Sequence, residues 1–250
     1  MRAALGARHF TVQYQPQVSL KGAKLVGVEA LLRWRDPDLG LVSPSKFIPV
    51  AEETGFIIEL GNFVLREAIS HAAEWHRQGV DVRVAVNVSA LQLQQDHFAD
   101  QLIDLLHSLD LPGQLLELDL TESLLAYDLD NIGIQLHRLA AQDVTLTIDD
   151  FGTGYSSLGY LKQLPLHCLK IDRSFVRGLP DDSNDAAIVR AIMEMAKALQ
   201  LTVVAEGVET QAQRDFLERA GCQYGQGYLF APPLTPVELE ASYFPRNATR

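Results

Sequence analysis

The chain has 250 residues, 47% of them hydrophobic and 21% charged, a balance that supports one full core and argues against a disordered or coiled-coil chain. Its net charge of −11 lacks the basic footprint that a nucleic-acid polymer requires, yet leaves room for a small phosphate ester held by local cations or metal ions. No apolar run approaches the ~18 residues of a membrane span and the start shows no signal-peptide layout, so the expectation is a cytoplasmic domain with no membrane contact of its own.

In chain order, residues 1–9 read as a linker remnant and residues 10–245 as one domain, with no internal repeat at 20–50 residues and a frayed tail after Pro245. Apolar, β-branched segments centre on Phe10–Val18, Leu25–Trp34, Val82–Val88, Leu115–Thr121, Val144–Asp150, Leu166–Asp172, Leu201–Glu206 and Gln223–Tyr228. Helical spacing covers Glu59–Gln78, Phe98–Leu109, Ile132–Ala141, Ala186–Leu199 and Gln211–Ala220. Strand alternating with helix requires a parallel sheet with crossover helices, either open or closed into a barrel. The first two segments are joined only around Lys21-Gly22-Ala23, too few residues for a crossover, so that pair is antiparallel. The fold class expected is α/β, a modified (β/α)8 TIM-like barrel with an antiparallel first strand. Cys168 and Cys222 form no CxxC pair or zinc-type cluster and read as reduced packing residues.

In a barrel the chemistry sits at the C-terminal ends of the strands. Glu29 lies within the second segment, and Asn87, Asp119, Glu122, Asp149, Asp150, Lys170, Asp172 and Glu206 stand at or near the ends of later ones; Gln226 lies on the last. One polar strand terminator means little, but this many oxygen donors on one rim, with a lysine, suit hard divalent ions such as Mg²⁺ or Mn²⁺. Neighbouring strand residues point opposite ways, so the Asp149-Asp150 pair needs the following Phe151-Gly152-Thr153-Gly154 loop to turn the second carboxylate inward. No nucleophile elbow, Walker loop or HExxH occurs.

The chain resembles the EAL family of phosphodiesterases. Glu29-Ala30-Leu31 with Arg33 resembles its EAL motif, and Asp149-Asp150-Phe151-Gly152-Thr153-Gly154-Tyr155 its metal-binding loop. Asn87-Val88-Ser89, Thr121-Glu122-Ser123, Lys170-Ile171-Asp172, Ala205-Glu206-Gly207-Val208-Glu209 and Gln226-Gly227-Tyr228 follow in the family's order. The resemblance implies a modified eight-stranded barrel that hydrolyses one phosphodiester of the bacterial second messenger cyclic di-GMP to linear pGpG, using two Mg²⁺ or Mn²⁺ ions. It implies Glu29, Asn87, Asp119, Asp149 and Asp150 as metal ligands, Glu206 as general base or binder of a metal-held water, Lys170 as the group steadying the attacking water or phosphate, and Glu122 as brace of the Asp149-Asp150 loop. Arg33 would contact phosphate, Gln15 guanine, and Asp172, Glu209 and Gln226 would support the substrate site. It also implies sensory or GGDEF domains upstream and allows a homodimer through Tyr155–Leu164, with Tyr160 on its surface.

In one place the chain departs from the pattern. The family usually has glutamate where Asp119 stands, which draws the carboxylate back by roughly 1.5 Å. Glu117 faces the same side but lies about 6.6 Å deeper, where Arg83 has the parity to pair with it. The shortened side chain is the feature that favours the alternative reading, an EAL domain acting as a cyclic di-GMP receptor. Receptors usually show losses in the EAL or DDFGTG motifs, and here both are complete. An unrelated barrel enzyme acting on a sugar phosphate would not need the Asp149-Asp150 loop.

Overall fold

The computed structural model of the protein describes residues 1–122, 124, 129–152 and 161–244. Thr153, Gly154 and Tyr155, the candidate dimer residue Tyr160, Ser123 and the tail from Pro245 lie outside the described residues.

The strands are β1 (Phe10–Ser19), β2 (Leu25–Asp36), β3 (Gly40–Val42), β4 (Arg83–Val88), β5 (Leu116–Thr121), β6 (Thr145–Phe151), β7 (Cys168–Ile171), β8 (Thr202–Ala205) and β9 (Tyr224–Gln226). They lie in the order β1-β9-β8-β7-β6-β5-β4-β2-β3, and β1 also pairs with β2, which closes the sheet. β1 is antiparallel to both neighbours, while β2 and β4 to β9 pair in parallel around the ring. The tight β1–β2 link has a physical basis: Gly22 and Ala23 adopt φ of 93° and 52°, and Ser19 N donates to Lys24 O at 2.9 Å. The result is the expected barrel with an irregular first strand.

Period-two alternation divides each parallel strand between two environments. Val84, Val86 and Val88, then Leu116, Leu118 and Leu120, then Leu146 and Ile148, then Leu169 and Ile171 join the main apolar core. The residues between them, including Glu117, Asp119, Thr147, Asp149 and Lys170, are buried polar groups that share the opposite, inner face. The outer core is covered by helices such as Ile57–Arg77, whose buried Val64, Leu65, Ala68, Ile69, Ala72, Ala73 and Trp75 recur at spacings of three and four.

Among the described residues, several short elements were not legible in the sequence pattern, three of them before β4. β3 pairs with the extended end of β2 across a turn in which Asp36 Oδ1 accepts from Asp38 N and Leu39 N at 3.0 and 3.1 Å; three residues are too few to show alternation. The helix Pro44–Glu53 begins with proline at its first turn, where the missing N–H costs nothing. Residues 1–9 contain the helix Arg2–Gly6. Its Ala4 is buried in a second, smaller apolar cluster with Phe10, Phe47, Ala51, Phe56, Ile57 and Leu60.

Candidate metal centre and substrate cavity

The inner face of the barrel carries polar side chains at two depths. At the deeper one, Glu117 on β5 accepts from Thr147 Oγ1 at 2.7 Å and faces Arg83 Nε at 3.2 Å, while Arg83 Nη1 reaches Thr145 Oγ1 at 3.3 Å. The pairing expected from parity is therefore present, and it closes this layer with one cation for one carboxylate.

The outer layer is different in its charge balance. Lys170 is wholly buried, and its Nζ lies 2.6 Å from Glu206 Oε1, 3.0 Å from Asp119 Oδ2, 3.1 Å from Asp149 Oδ2 and 3.5 Å from Glu29 Oε2. Burial alone would lower the lysine pKa, but the surrounding carboxylates outweigh it and hold the ammonium charged. One ammonium cannot balance four carboxylates. Desolvation, then the charge of neighbouring acids, pushes Asp119 well above the usual carboxylate range and Glu206 to about 8. Glu29 moves down: burial works against its ionised form, yet Lys170 and hydrogen bonds from Gln226 and Asn87 prevail. Those bonds run from Asn87 Nδ2 to Glu29 Oε1 and from Gln226 Nε2 to Glu29 Oε2, both at 2.6 Å.

Pairing between β6 and β7 slips between Ile148 and Phe151, a bulge that lies within the strand; Thr153 and Gly154 of the loop expected to turn Asp150 inward lie outside the described residues. Asp150 takes φ of 54°, and its backbone N–H donates to Asp149 Oδ1 at 2.8 Å. Burial, then Asp149 and Asp172, raises Asp150 to about 6. Gly152 follows at φ of 97°, and its N–H donates to Glu122 Oε2 at 2.8 Å, so Glu122 ties the end of β6 to the end of β5. A side chain at 152 would also meet Phe175, 2.9 Å from the Cβ position.

Two sets of carboxylates offer oxygens within 4.8 Å of one another: Glu29, Asp119 and Asp149, and Asp149, Asp150 and Glu206. Asp149 belongs to both, the arrangement that two adjacent cations would share. Hard oxygen donors, excess negative charge and a buried Asp119 Oδ1 without a hydrogen-bond partner fit hard divalent ions.

A cavity of about 600 Å³ opens over this cluster, lined among others by Gln15, Glu29, Asp149, Asp150, Asp172, Glu206, Glu209 and Gln226. Gln15 is buried, donates to Ala231 O at 3.2 Å and accepts from Gln226 Nε2 at 3.1 Å, so its amide is engaged within the protein. Asp172 caps the helix Arg173–Arg177 by accepting from Ser174 N at 2.9 Å. Arg33 stands apart from these. Its Nε donates to Gln13 Oε1 at 2.9 Å, and it lines a neighbouring, mainly apolar cavity of about 290 Å³ with Asn87, Ile48 and Leu60. Leu31 and Pro44 line both cavities. Leu31, Pro44, Arg173 and Tyr228 are lining residues that sequence reasoning did not assign to the site. Leu31 and Tyr228 lie within quoted motifs and Arg173 directly follows one, whereas Pro44 carried no such signal.

Among the described residues no helix is long and apolar enough to cross a membrane, and Cys168 and Cys222 are both buried and free.

A family profile described as "EAL domain" matches residues 1–233. The bifunctional diguanylate cyclase/cyclic di-GMP phosphodiesterase MucR of Pseudomonas aeruginosa is 46% identical over 245 residues, covering 97% of this chain and 36% of the relative. Cyclic di-GMP phosphodiesterase PA2567 of the same organism is 40% identical over 231 residues, covering 92% of this chain and 39% of the relative. The chain thus spans little more than a third of the length of these curated relatives. A solved structure described as "PaMucR Phosphodiesterase, c-di-GMP complex" superposes with a TM-score of 0.91 at 46% identity, covering 95% of this chain and 97% of that one.

Proposed function

The chain belongs to the EAL domain family, and from that premise we propose that it hydrolyses one phosphodiester bond of cyclic di-GMP to linear pGpG. The observation that carries the reading is the pair of carboxylate sets hinged on Asp149, opening into a cavity of a size that suits a small ligand. Glu29, Asn87, Asp119, Asp149 and Asp150 would hold two divalent ions, Mg²⁺ or Mn²⁺. Such ions would polarise phosphoryl oxygens and render water nucleophilic near neutral pH.

The chain's own residues do the rest. Glu206, raised to about 8 by burial, suits a proton acceptor for the attacking water. Lys170 fixes Asp119, Asp149 and Glu206 about one centre and offsets part of their repulsion. Glu122 braces the bulge bearing Asp149 and Asp150, and Gln226 orients Glu29. Gln15, Asp172 and Glu209 shape the substrate wall, and Arg33 meets a phosphate at the apolar end. Asp119 keeps a ligand atom within 4.8 Å of those of Glu29 and Asp149 despite its short side chain, which favours the enzyme over the receptor reading.

The relatives' greater length supports fusion to sensory or GGDEF domains upstream, with residues 1–9 as the connecting segment and 10–245 as the catalytic unit. Cyclic di-GMP is the small-molecule partner, a nucleic-acid polymer and a membrane surface are not, and the cytoplasm is the compartment. A homodimer through the Tyr155–Leu164 region completes the proposal.

The test is incubation of the purified protein with cyclic di-GMP over a Mg²⁺ and Mn²⁺ titration, with chromatography of the product. Appearance of pGpG, dependent on the metal, is expected. Tight binding of cyclic di-GMP with no hydrolysis at any metal level would replace the enzyme reading by the receptor one.

A further inference from the structure

We propose that Arg173 is a positioning residue for the bound dinucleotide, its guanidinium holding a phosphoryl oxygen on the Glu206 side of the cavity, opposite Arg33. The inference deepens the reading of the site as a cyclic di-GMP cavity and rests on it.

The charges lining the cavity carry the argument. Glu29, Asp149, Asp150, Asp172, Glu206 and Glu209 contribute carboxylates to its wall, and among the described lining residues Arg173 is the one cation. Lys170 is sealed beneath that wall and committed to four acids. Divalent ions held by the two carboxylate sets would neutralise only the acids around Asp149. An anionic group that reaches beyond them, toward Asp172 and Glu209, meets uncompensated negative charge unless it lands on Arg173.

Arg173 is exposed and forms no ion pair among the described residues. Its neighbour Asp172 does not capture it, because that carboxylate caps Ser174 N and bears on Asp150. The base of the side chain, in contrast, is fixed. Gly207 adopts φ of 67°, and a Cβ there would come within 2.6 Å of Arg173 Cβ. The glycine after Glu206 thus lets the arginine stem pack flat on the loop that carries the proposed base. A fixed stem with a free guanidinium is preorganised for a phosphate, whose oxygens match its planar fork.

Arg173→Gln keeps the stem on Gly207 and removes the charge; Arg173→Lys keeps the charge and removes the fork. Initial rates of cyclic di-GMP hydrolysis with Mg²⁺ at low and high salt, and equilibrium dialysis of cyclic di-GMP, are measured for all three proteins. Expected for Arg173→Gln is a KM raised roughly tenfold with a much smaller change in kcat, a shallower salt dependence of kcat/KM and partial recovery in Arg173→Lys. A wild-type KM in Arg173→Gln, or a loss confined to kcat, overturns the proposal. If the wild type binds but does not hydrolyse, the enzyme reading fails while the dialysis still decides Arg173: weaker binding by Arg173→Gln supports it and equal affinity overturns it. A wild type that neither hydrolyses nor binds overturns both.

Discussion

Two polar layers, two residues apart along β5, answer the same problem of buried charge in opposite ways. Glu117 is met by Arg83 and Thr147, so the deeper layer is balanced in charge as folded. Asp119, one pleat further on, shares a single lysine with Asp149, Glu206 and Glu29 and retains an oxygen with no partner. The first layer contributes to the barrel. The second is under-neutralised, and the folded chain supports its crowding because the surrounding apolar core is extensive. What separates a structural ion pair from a candidate metal centre here is the ratio of charges, one carboxylate to Arg83 against four to Lys170.

The largest expected effect comes from breaking the outer layer. Glu29→Ala removes a proposed metal ligand, and hydrolysis of cyclic di-GMP should fall by more than roughly a hundredfold, beyond what outer-sphere changes cost. Circular dichroism should stay that of the wild type, and retained turnover at saturating Mg²⁺ would remove Glu29 from the site. Breaking the inner layer should do the reverse. Glu117→Gln leaves Arg83 without its partner and should cost about 1–2 kcal/mol of stability, discounted because Arg83 is partly exposed; turnover per folded molecule should hardly change, and a collapse of kcat with normal unfolding would show the layers to be coupled.

A finer test uses sign. Glu206→Gln removes one of the crowded charges, so at pH above 8 and in EDTA the variant should melt above the wild type, while with excess Mg²⁺ the order should invert. Identical ordering in both conditions would mean that no cation bridges this cluster.

The smallest effect is pH dependence. Glu206 has its folded pKa raised to about 8, so the folded state binds more protons than the unfolded chain between the ordinary glutamate pKa and 8. Stability from this group is therefore greatest at low pH and lost as pH rises through that window. Metal-free protein should melt higher at pH 6 than at pH 8, and metal-loaded protein should reverse the trend because ions bind the deprotonated acids. A flat metal-free profile would show that the outer layer carries no excess charge.

Much of this was readable in one dimension. Period-two alternation disclosed which side of β4, β5 and β6 faces the core, because each helix-covered position must be apolar, and the same parity paired Arg83 with Glu117. Ordered motifs at strand ends placed Glu29, Asp149, Lys170 and Glu206 on one rim, because barrel closure brings all C-terminal strand ends together. The tertiary structure decided what has no local signal. The bulge at Asp149-Asp150 depends on how β6 registers against β7, and β3 exists only because β2 overruns the barrel. The commitment of Arg33 to Gln13, the seating of Arg173 on Gly207 and the burial of Ala4 against Phe47 join residues distant in sequence, and such pairings depend on how the closed barrel packs its loops and helices, which no window of the sequence contains.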